Sequence, residues 1–287
     1  MFQDIGSLIN EAKNVGLVSH DSGGANILNA LVKEFGDINF KLLVKGPAES
    51  IFDGKNIKFY SDESAFFDEV DFVLFGTGST SYEKKLLRYA KSKDIKTAAI
   101  LDHFVNYKER FIDDSTISFP DYCFVCDEYS YQIAKKELDP YKNISVCKNY
   151  LVASYKHKLD ACNSLKKNTI LYVLENTNEH WDEKLLPWEV AFNNFYENFY
   201  KHSDFCTIIV RPHPKDDPKI YQSLKKYEEI IFDYSSSPLI SLSKVSTVVG
   251  IESYLLYISH SCGMIVYTSL PDKIRPPNLP QHVYKRF

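Results

Sequence analysis

No stretch of this 287-residue chain approaches the roughly 20 consecutive apolar residues that span a bilayer. The start, Met1-Phe2-Gln3-Asp4-Ile5, lacks the basic region and apolar core of a secretion signal. The expectation is a cytoplasmic protein with at most peripheral membrane association. Positive charge is not in excess either: 34 Lys and Arg against 38 Asp and Glu give a net charge of -4. That balance argues against charge-driven nucleic-acid binding. The six cysteines are scattered, and Cys123-x-x-Cys126 lies in an apolar, strand-like run where residues three apart face opposite sides. A shared zinc or a redox disulfide is thereby disfavoured, and free buried thiols are expected. Methionine is nearly absent, with 2 residues beside 20 Tyr and 19 Phe, and no function is attached to that bias.

Several ligand signatures are missing as well. There is no Gly-x-Gly-x-x-Gly after the first apolar run, which weakens a dinucleotide site, and no Gly-Lys-Ser/Thr of a phosphate-binding Walker loop. No Asp-x-Asp stands in a strand-end loop to hold a nucleotide-bound metal, and Asp216-Asp217 reads as a solvated turn before Pro218.

What remains is a composition 44% hydrophobic and 25% charged, the profile of a globular protein with a substantial core. Apolar runs of strand length recur at Val15–Ser19, Phe40–Val44, Ile57–Tyr60, Asp71–Phe75, Thr97–Leu101, Tyr122–Val125 and Ile144–Val146. A polar, lysine-rich segment from Tyr155 to Asn168 reads as a linker or connecting helix. The pattern restarts at Thr169–Leu174, Thr207–Val210, Ile230–Phe232, Ser246–Val249 and Met264–Tyr267. Helix-length segments separate the runs, among them Ala25–Phe35, Tyr82–Lys91 and Pro187–Tyr200. Alternation of this kind predicts parallel sheets with right-handed crossovers. The fold class expected is α/β, with two Rossmann-like domains, residues 1–155 and 156–287, facing a central cleft.

Loops that follow parallel strands lie at the edge where ligands bind. The strand Thr207–Val210 runs into Arg211-Pro212-His213-Pro214-Lys215, so a guanidinium, an imidazole and an ammonium stand at its end. The two prolines stiffen the loop, which suits a phosphate. Val15–Ser19 runs into His20-Asp21-Ser22-Gly23-Gly24, where the glycines permit close approach of a ligand and Asp21 can serve as a general base. The alternative for this loop is a tight turn with Asp21 or Ser22 capping the next helix. Gly76-Thr77-Gly78-Ser79-Thr80-Ser81 offers backbone N–H groups and hydroxyls to an acceptor, or else a cap in which Thr80 and Glu83 form a capping box. Asp102-His103-Phe104-Val105-Asn106-Tyr107-Lys108-Glu109-Arg110-Phe111 packs an acid, an imidazole, aromatics and an arginine into ten residues with no regular period, with Asp102 and His103 as further acid–base candidates. Gly250-Ile251-Glu252-Ser253 opens a late helix.

A strand running into Arg-Pro-His-Pro, followed later by Val-Val-Gly-Ile-Glu-Ser at a helix start, resembles the nucleotide-binding half of GT-B glycosyltransferases. It is most similar to the bacterial types that use CMP-activated donors: sialyltransferase-like, Kdo-transferase-like and CDP-glycerol polymerase-like proteins. The resemblance covers roughly Thr169 to Leu270, and the chain is short for two full GT-B domains. It implies a nucleotide-sugar donor, probed by His213 at the phosphate with Arg211, Lys215, Gly250 and Ser253 around it, Glu252 near the ribose, and Ser235-Ser236-Ser237 as a second serine element. It implies no metal and no cofactor. The acceptor, a surface glycan or lipid-linked group, then falls to the N-terminal half: Asp21 is the expected base, with Asp102, His20 and His103 after it, and Ser22, Gly23, Gly24, Gly78, Ser79 and Asn106 line the acceptor side. Two other readings stay open: a hydrolysing nucleotide-sugar 2-epimerase, which needs further acids, and a non-catalytic nucleotide-sugar-binding protein.

Overall fold

The computed structural model describes residues 4–53, 56–160, 166–175, 177, 179–213 and 216–287. The chain divides into two units, Met1–Ala153 and Ser154–Phe287, each built on its own parallel sheet.

In the first unit the elements run α1 (Ile5–Glu11), β1 (Val15–Ser19), α2 (Ser22–Glu34), β2 (Phe40–Val44), β3 (Ile57–Phe59), α3 (Glu63–Asp68), β4 (Phe72–Gly76), α4 (Ser81–Ser92) and β5 (Lys96–Ile100). A small antiparallel hairpin, β6 (Ile112–Asp113) and β7 (Thr116–Ile117), precedes β8 (Tyr122–Val125), α5 (Glu128–Glu137), β9 (Ile144–Val146) and α6 (Tyr150–Asp160). The hairpin turns on Asp114 and Ser115, both at positive φ (46° and 64°), the twist that two-residue hairpins favour. The seven-stranded sheet has the order β3-β2-β1-β4-β5-β8-β9, and every pair is parallel. The chain thus winds outward from β1 to β3, then returns to the other side of β1 as β4. Strands β1 and β4 are buried along their whole length, which is why they read as continuous apolar runs without alternation.

The second unit carries β10 (Lys166–Val173), α7 (Pro187–Asn198), β11 (Thr207–Arg211), β12 (Ile230–Phe232), α8 (Pro238–Leu242), β13 (Val245–Gly250), α9 (Tyr254–Ser261) and β14 (Ile265–Thr268). Its five-stranded parallel sheet has the order β12-β11-β10-β13-β14, so the same reversal occurs between β10 and β13. Pro187 opens α7, and Trp188, Phe192 and Phe195 recur at helical spacing to press one face on Tyr172, Val210 and Tyr221. The Trp188 and Tyr221 rings meet edge to face with centroids 5.0 Å apart.

The α/β class and the parallel sheets follow the expectation. Helices α1, α3, α5 and α8 add to those whose ranges the pattern named. Helix α3 shows why the pattern does not name it: its buried residues are only Phe66 and Phe67, adjacent in sequence, so it presents no i, i+4 stripe. The polar segment after Tyr155 is helix α6 as far as Asp160, and β10 begins at Lys166. Among the described residues, no helix is long and apolar enough to cross a membrane.

Candidate functional site

At each strand-order reversal two loops diverge from neighbouring strands and leave a crevice at the carboxyl edge. In the first unit those loops follow β1 and β4. Asp21 occupies the N-cap position of α2 but makes no capping bond. One carboxylate oxygen meets His20 Nδ1 at 3.0 Å; the other accepts from the Ser79 backbone N–H (2.9 Å) and hydroxyl (3.2 Å). The helix-cap reading of Asp21 therefore gives way to one in which the carboxylate crosses to the β4 loop and holds an imidazole. With Nδ1 donating to Asp21, Nε2 is the nitrogen left to accept a proton. That end of the ring lies against Gly46, at φ +62°, where an added Cβ would come within 2.6 Å of Nε2. Gly78 is likewise required, since a Cβ there would stand 2.7 Å from Asp21 Oδ2.

Glu83, in the first turn of α4, is buried, and burial pushes its pKa up against the hydrogen bonds that favour the charged form. It accepts from the His20 backbone N–H at 2.8 Å and from the Thr80 hydroxyl at 3.1 Å. Thr80 caps α4 as expected, but Glu83 reaches the Thr80 side chain and His20, not the Thr80 backbone of a capping box.

Asp102 pairs with Arg110, whose guanidinium also donates to the Thr77 carbonyl (3.2 Å) and hydroxyl (2.9 Å). Asp102, expected as an acid–base candidate, is engaged in this ion pair, and through Arg110 it braces the β4 loop. His103 accepts the Phe104 backbone N–H at Nδ1 (2.9 Å) and packs on the Phe104 ring, a local turn contact. Asn106 sits at φ +58°, a left-handed turn position that Asn tolerates. The Ser22 carbonyl accepts from Asn26 at 2.7 Å within the first turn of α2.

The opening-loop glycines have close neighbours on their own unit. A Cβ on Gly23 would fall 1.9 Å from Asp102 Oδ2, and one on Gly24 would meet the backbone of Gly76 at 2.9 Å. Because backbone cannot rotate aside, Gly24→Ala is expected to lower unfolding free energy by about 1–3 kcal/mol, outweighing the gain in helix propensity. Denaturant unfolding measures it; an unchanged or raised midpoint would show that α2 and β4 can separate freely.

In the second unit Arg211, the last residue of β11, donates from Nη1 to the hydroxyls of Ser235 (3.1 Å) and Ser241 (3.0 Å). Burial lowers its pKa from the ordinary value. Asp233 lies in the same cluster: burial opposes its charge, yet bonds from Ser235 and Ser241 and the nearby Lys244 hold its carboxyl down at about 2. Among the described residues, Arg211 forms no salt bridge. His213 follows on the loop, half-buried, with its carbonyl accepting from Asp216 N–H at 3.0 Å. Lys215 and Pro214 lie outside the described residues.

The turn after β13 differs from expectation. The Ser253 hydroxyl caps α9 by accepting from Leu255 N–H (3.3 Å). The Glu252 carboxylate, expected at a ribose, is engaged by Arg275 Nη1 (2.8 Å) and Nη2 (2.7 Å) and by the Asn278 backbone N–H (2.9 Å). Arg275 also binds Glu179, at 2.6 Å from Nη2. Gly250 packs close to β10, where a Cβ would meet the Val173 carbonyl at 3.0 Å.

Three residues here escaped sequence reasoning: Glu175, Arg275 and Glu179. Glu175, just past β10, accepts from the backbone N–H groups of both Glu252 and Ser253 at 2.8 Å. Burial, together with the Glu252 charge, raises its pKa to about 7 despite those bonds. Its partners lie 77 and 78 residues away, and nothing local marks it.

Of the cysteines, Cys123 and Cys147 are buried and Cys126 and Cys262 partly so, all as free thiols, while Cys206 is exposed; Cys162 lies outside the described residues. Cys126 follows β8 and Cys147 follows the adjacent β9, and the two share a hydrogen bond that, with burial, pushes the Cys126 thiol well up. Cys126 therefore partners Cys147, not Cys123.

No family model matches the chain, and no curated protein matches it in sequence. Solved structures do resemble it. The UDP-GlcNAc 2-epimerase of Neisseria meningitidis, bound to UDP-GlcNAc, superposes with a TM-score of 0.61 at 14% identity, covering 89% of this chain and 82% of that one. The Methanocaldococcus jannaschii UDP-GlcNAc 2-epimerase, in complex with UDP-GlcNAc and UDP, gives 0.61 at 12% identity over 89% and 83%. The wall teichoic acid polymerase TagF, as its H548A variant, gives 0.57 at 13% identity over 89% and 70%. At such identities the likeness is one of fold: this chain shares the α/β, parallel-sheet GT-B fold of nucleotide-sugar epimerases and of a polymerase.

Proposed function

We propose that the protein is a glycosyltransferase-like enzyme that takes a sugar from a CMP- or CDP-linked donor, or a polyol phosphate from a CDP-linked one, and passes it to an acceptor hydroxyl with release of the nucleotide. The observation that carries the reading is Arg211: a half-buried guanidinium at a strand's carboxyl end, directed at two serine hydroxyls and, among the described residues, at no carboxylate salt bridge. A cation held this way favours a phosphate, and its charge counts for most where it opposes the negative charge that builds on a departing nucleotide. His213 and Lys215 stand next in sequence to the same group. The positive charge comes from side chains, so transfer is expected to proceed in a chelator. On the acceptor side the base proposed is His20 in place of Asp21, a reading supported by the His20–Asp21 contact: Nε2 takes the hydroxyl proton while Asp21 fixes the ring.

The epimerase reading gains one specific support, because Asp21, Glu83 and Asp102 all reach the carboxyl edge of the first unit. Two of the three are committed elsewhere: Asp102 to Arg110, and Glu83 to the His20 backbone and Thr80.

Incubation with CMP-, CDP- and UDP-linked donors separates the readings. Release of CMP or CDP that depends on an added acceptor supports transfer. UDP release without acceptor supports epimerase chemistry, and tight binding without turnover supports a binding protein. Transfer that stops in EDTA and returns with magnesium would remove the role given to Arg211.

A further inference from the structure

We propose that Glu175 is a built-in competitor for the donor phosphate, holding the Glu252 and Ser253 backbone N–H pair until a donor displaces it. The proposal rests on the donor-site reading above and names the residue that sets how tightly that site takes its phosphate.

The N–H pair lies where the strand order reverses between β10 and β13, at the head of α9, and it is already occupied by an oxyanion: both N–H groups point at one oxygen of Glu175, at 2.8 Å each. A carboxylate on such a pair shows what class of group the pair takes, and a phosphate oxygen is the same class with more charge. Among the described residues Glu175 forms no salt bridge, and the guanidinium in its network, Arg275, is shared between Glu252 and Glu179. The groups facing Glu175 are otherwise acidic or neutral. The Glu252 carboxylate opposes its charge, the Tyr172 hydroxyl donates to Ser269 (3.0 Å), and the Tyr221 hydroxyl bonds Asp216.

An anion kept in place by backbone alone, in a half-buried position beside another carboxylate, is readily exchanged. Burial raises its pKa to about 7, so the protonated form is abundant at neutral pH. Between a bound phosphate and Glu252 an ionised Glu175 would face negative charge on two sides, so the complex holds it protonated. Phosphate therefore binds the protonated form, and apparent affinity follows the fraction of protein in that form. The sign is fixed: affinity falls as pH rises through about 7.

The test is calorimetric binding of CDP to the full chain at pH 6 and pH 8, for wild type and Glu175→Gln, with folding checked by thermal melting. CDP's own terminal phosphate titrates in this range, and an imidazole at the phosphate would also, so the readout is the difference between the two proteins. Wild type should lose about tenfold more affinity from pH 6 to pH 8 than Glu175→Gln does. At pH 8 the amide variant should bind about tenfold more tightly than wild type. Glu175→Ala gives the same direction should the amide be poorly tolerated. Equal pH dependence in the two proteins, or weaker binding by Glu175→Gln at pH 8, overturns the competitor while leaving the donor site standing. CDP that binds neither protein at either pH removes the donor-site reading and the competitor together.

Discussion

Arg211→Ala is expected to cut kcat/KM for nucleotide-sugar transfer by 10²–10³ or more, the scale on which single preorganised groups stabilise a departing anion. The loss should appear in donor binding as well as in kcat, because on the proposed function the guanidinium meets phosphate before and during the reaction. The fold should survive. Asp233 is held by Ser235, Ser241 and Lys244, and the two serines keep each other's neighbourhood polar without the arginine. Arg211→Lys separates charge from shape: it keeps a cation but not the planar fork, so an intermediate loss is expected. The measurements are steady-state kinetics with a CMP- or CDP-linked donor and a melting curve. Activity within threefold of wild type, in a folded Arg211→Ala protein, would place the phosphate elsewhere.

Asp21→Asn and His20→Ala are each expected to lower kcat by about 10²–10⁴ while leaving donor affinity unchanged. The reason is geometric. Asp21 accepts from three donors at once: His20 Nδ1, the Ser79 N–H and the Ser79 hydroxyl. An asparagine has one acceptor oxygen for both partners, and its NH₂ turned toward Nδ1 would force the proton onto Nε2, the nitrogen that must be free. Groups that act as one unit do not lose activity additively, so the double variant should be no slower than the worse single one. Losses that multiply in the double variant would show two independent roles and end the dyad. A Asp21→Asn enzyme at full rate would return the search for the base to His103.

The elements were legible wherever the signal was local. Phe72–Phe75 and Thr207–Val210 are apolar on both faces, and a strand buried on both faces has to read that way. The Arg211 loop and the His20-Asp21 loop were legible for the same reason: each is a run of chemistry just past such a strand. What stayed hidden was the partnership of distant residues. Asp21 looked like a cap for its own helix, but its bonds go to Ser79, 58 residues on. Glu252 looked available for a ribose because Arg275, 23 residues later in a proline-flanked stretch, gave no periodic signal. Arg110 stands in the same loop as Asp102, but no regular period marks the two as an ion pair. Spacing reports which groups share an edge; it does not report which of them are already spoken for.

The uneven exposure of the thiols also gives the molecule a spectroscopic handle. Burial raises the pKa of Cys123 and Cys262, and the Cys147 hydrogen bond together with burial raises that of Cys126, so their thiolates are suppressed, whereas Cys206 is exposed and stands one residue before β11, at the opposite end of that strand from Arg211. A maleimide dye should label Cys206 first among the described cysteines, roughly 17 Å along the strand from the guanidinium. That is far enough to leave the proposed phosphate site untouched and near enough for the dye to act as an optical reporter of its occupancy.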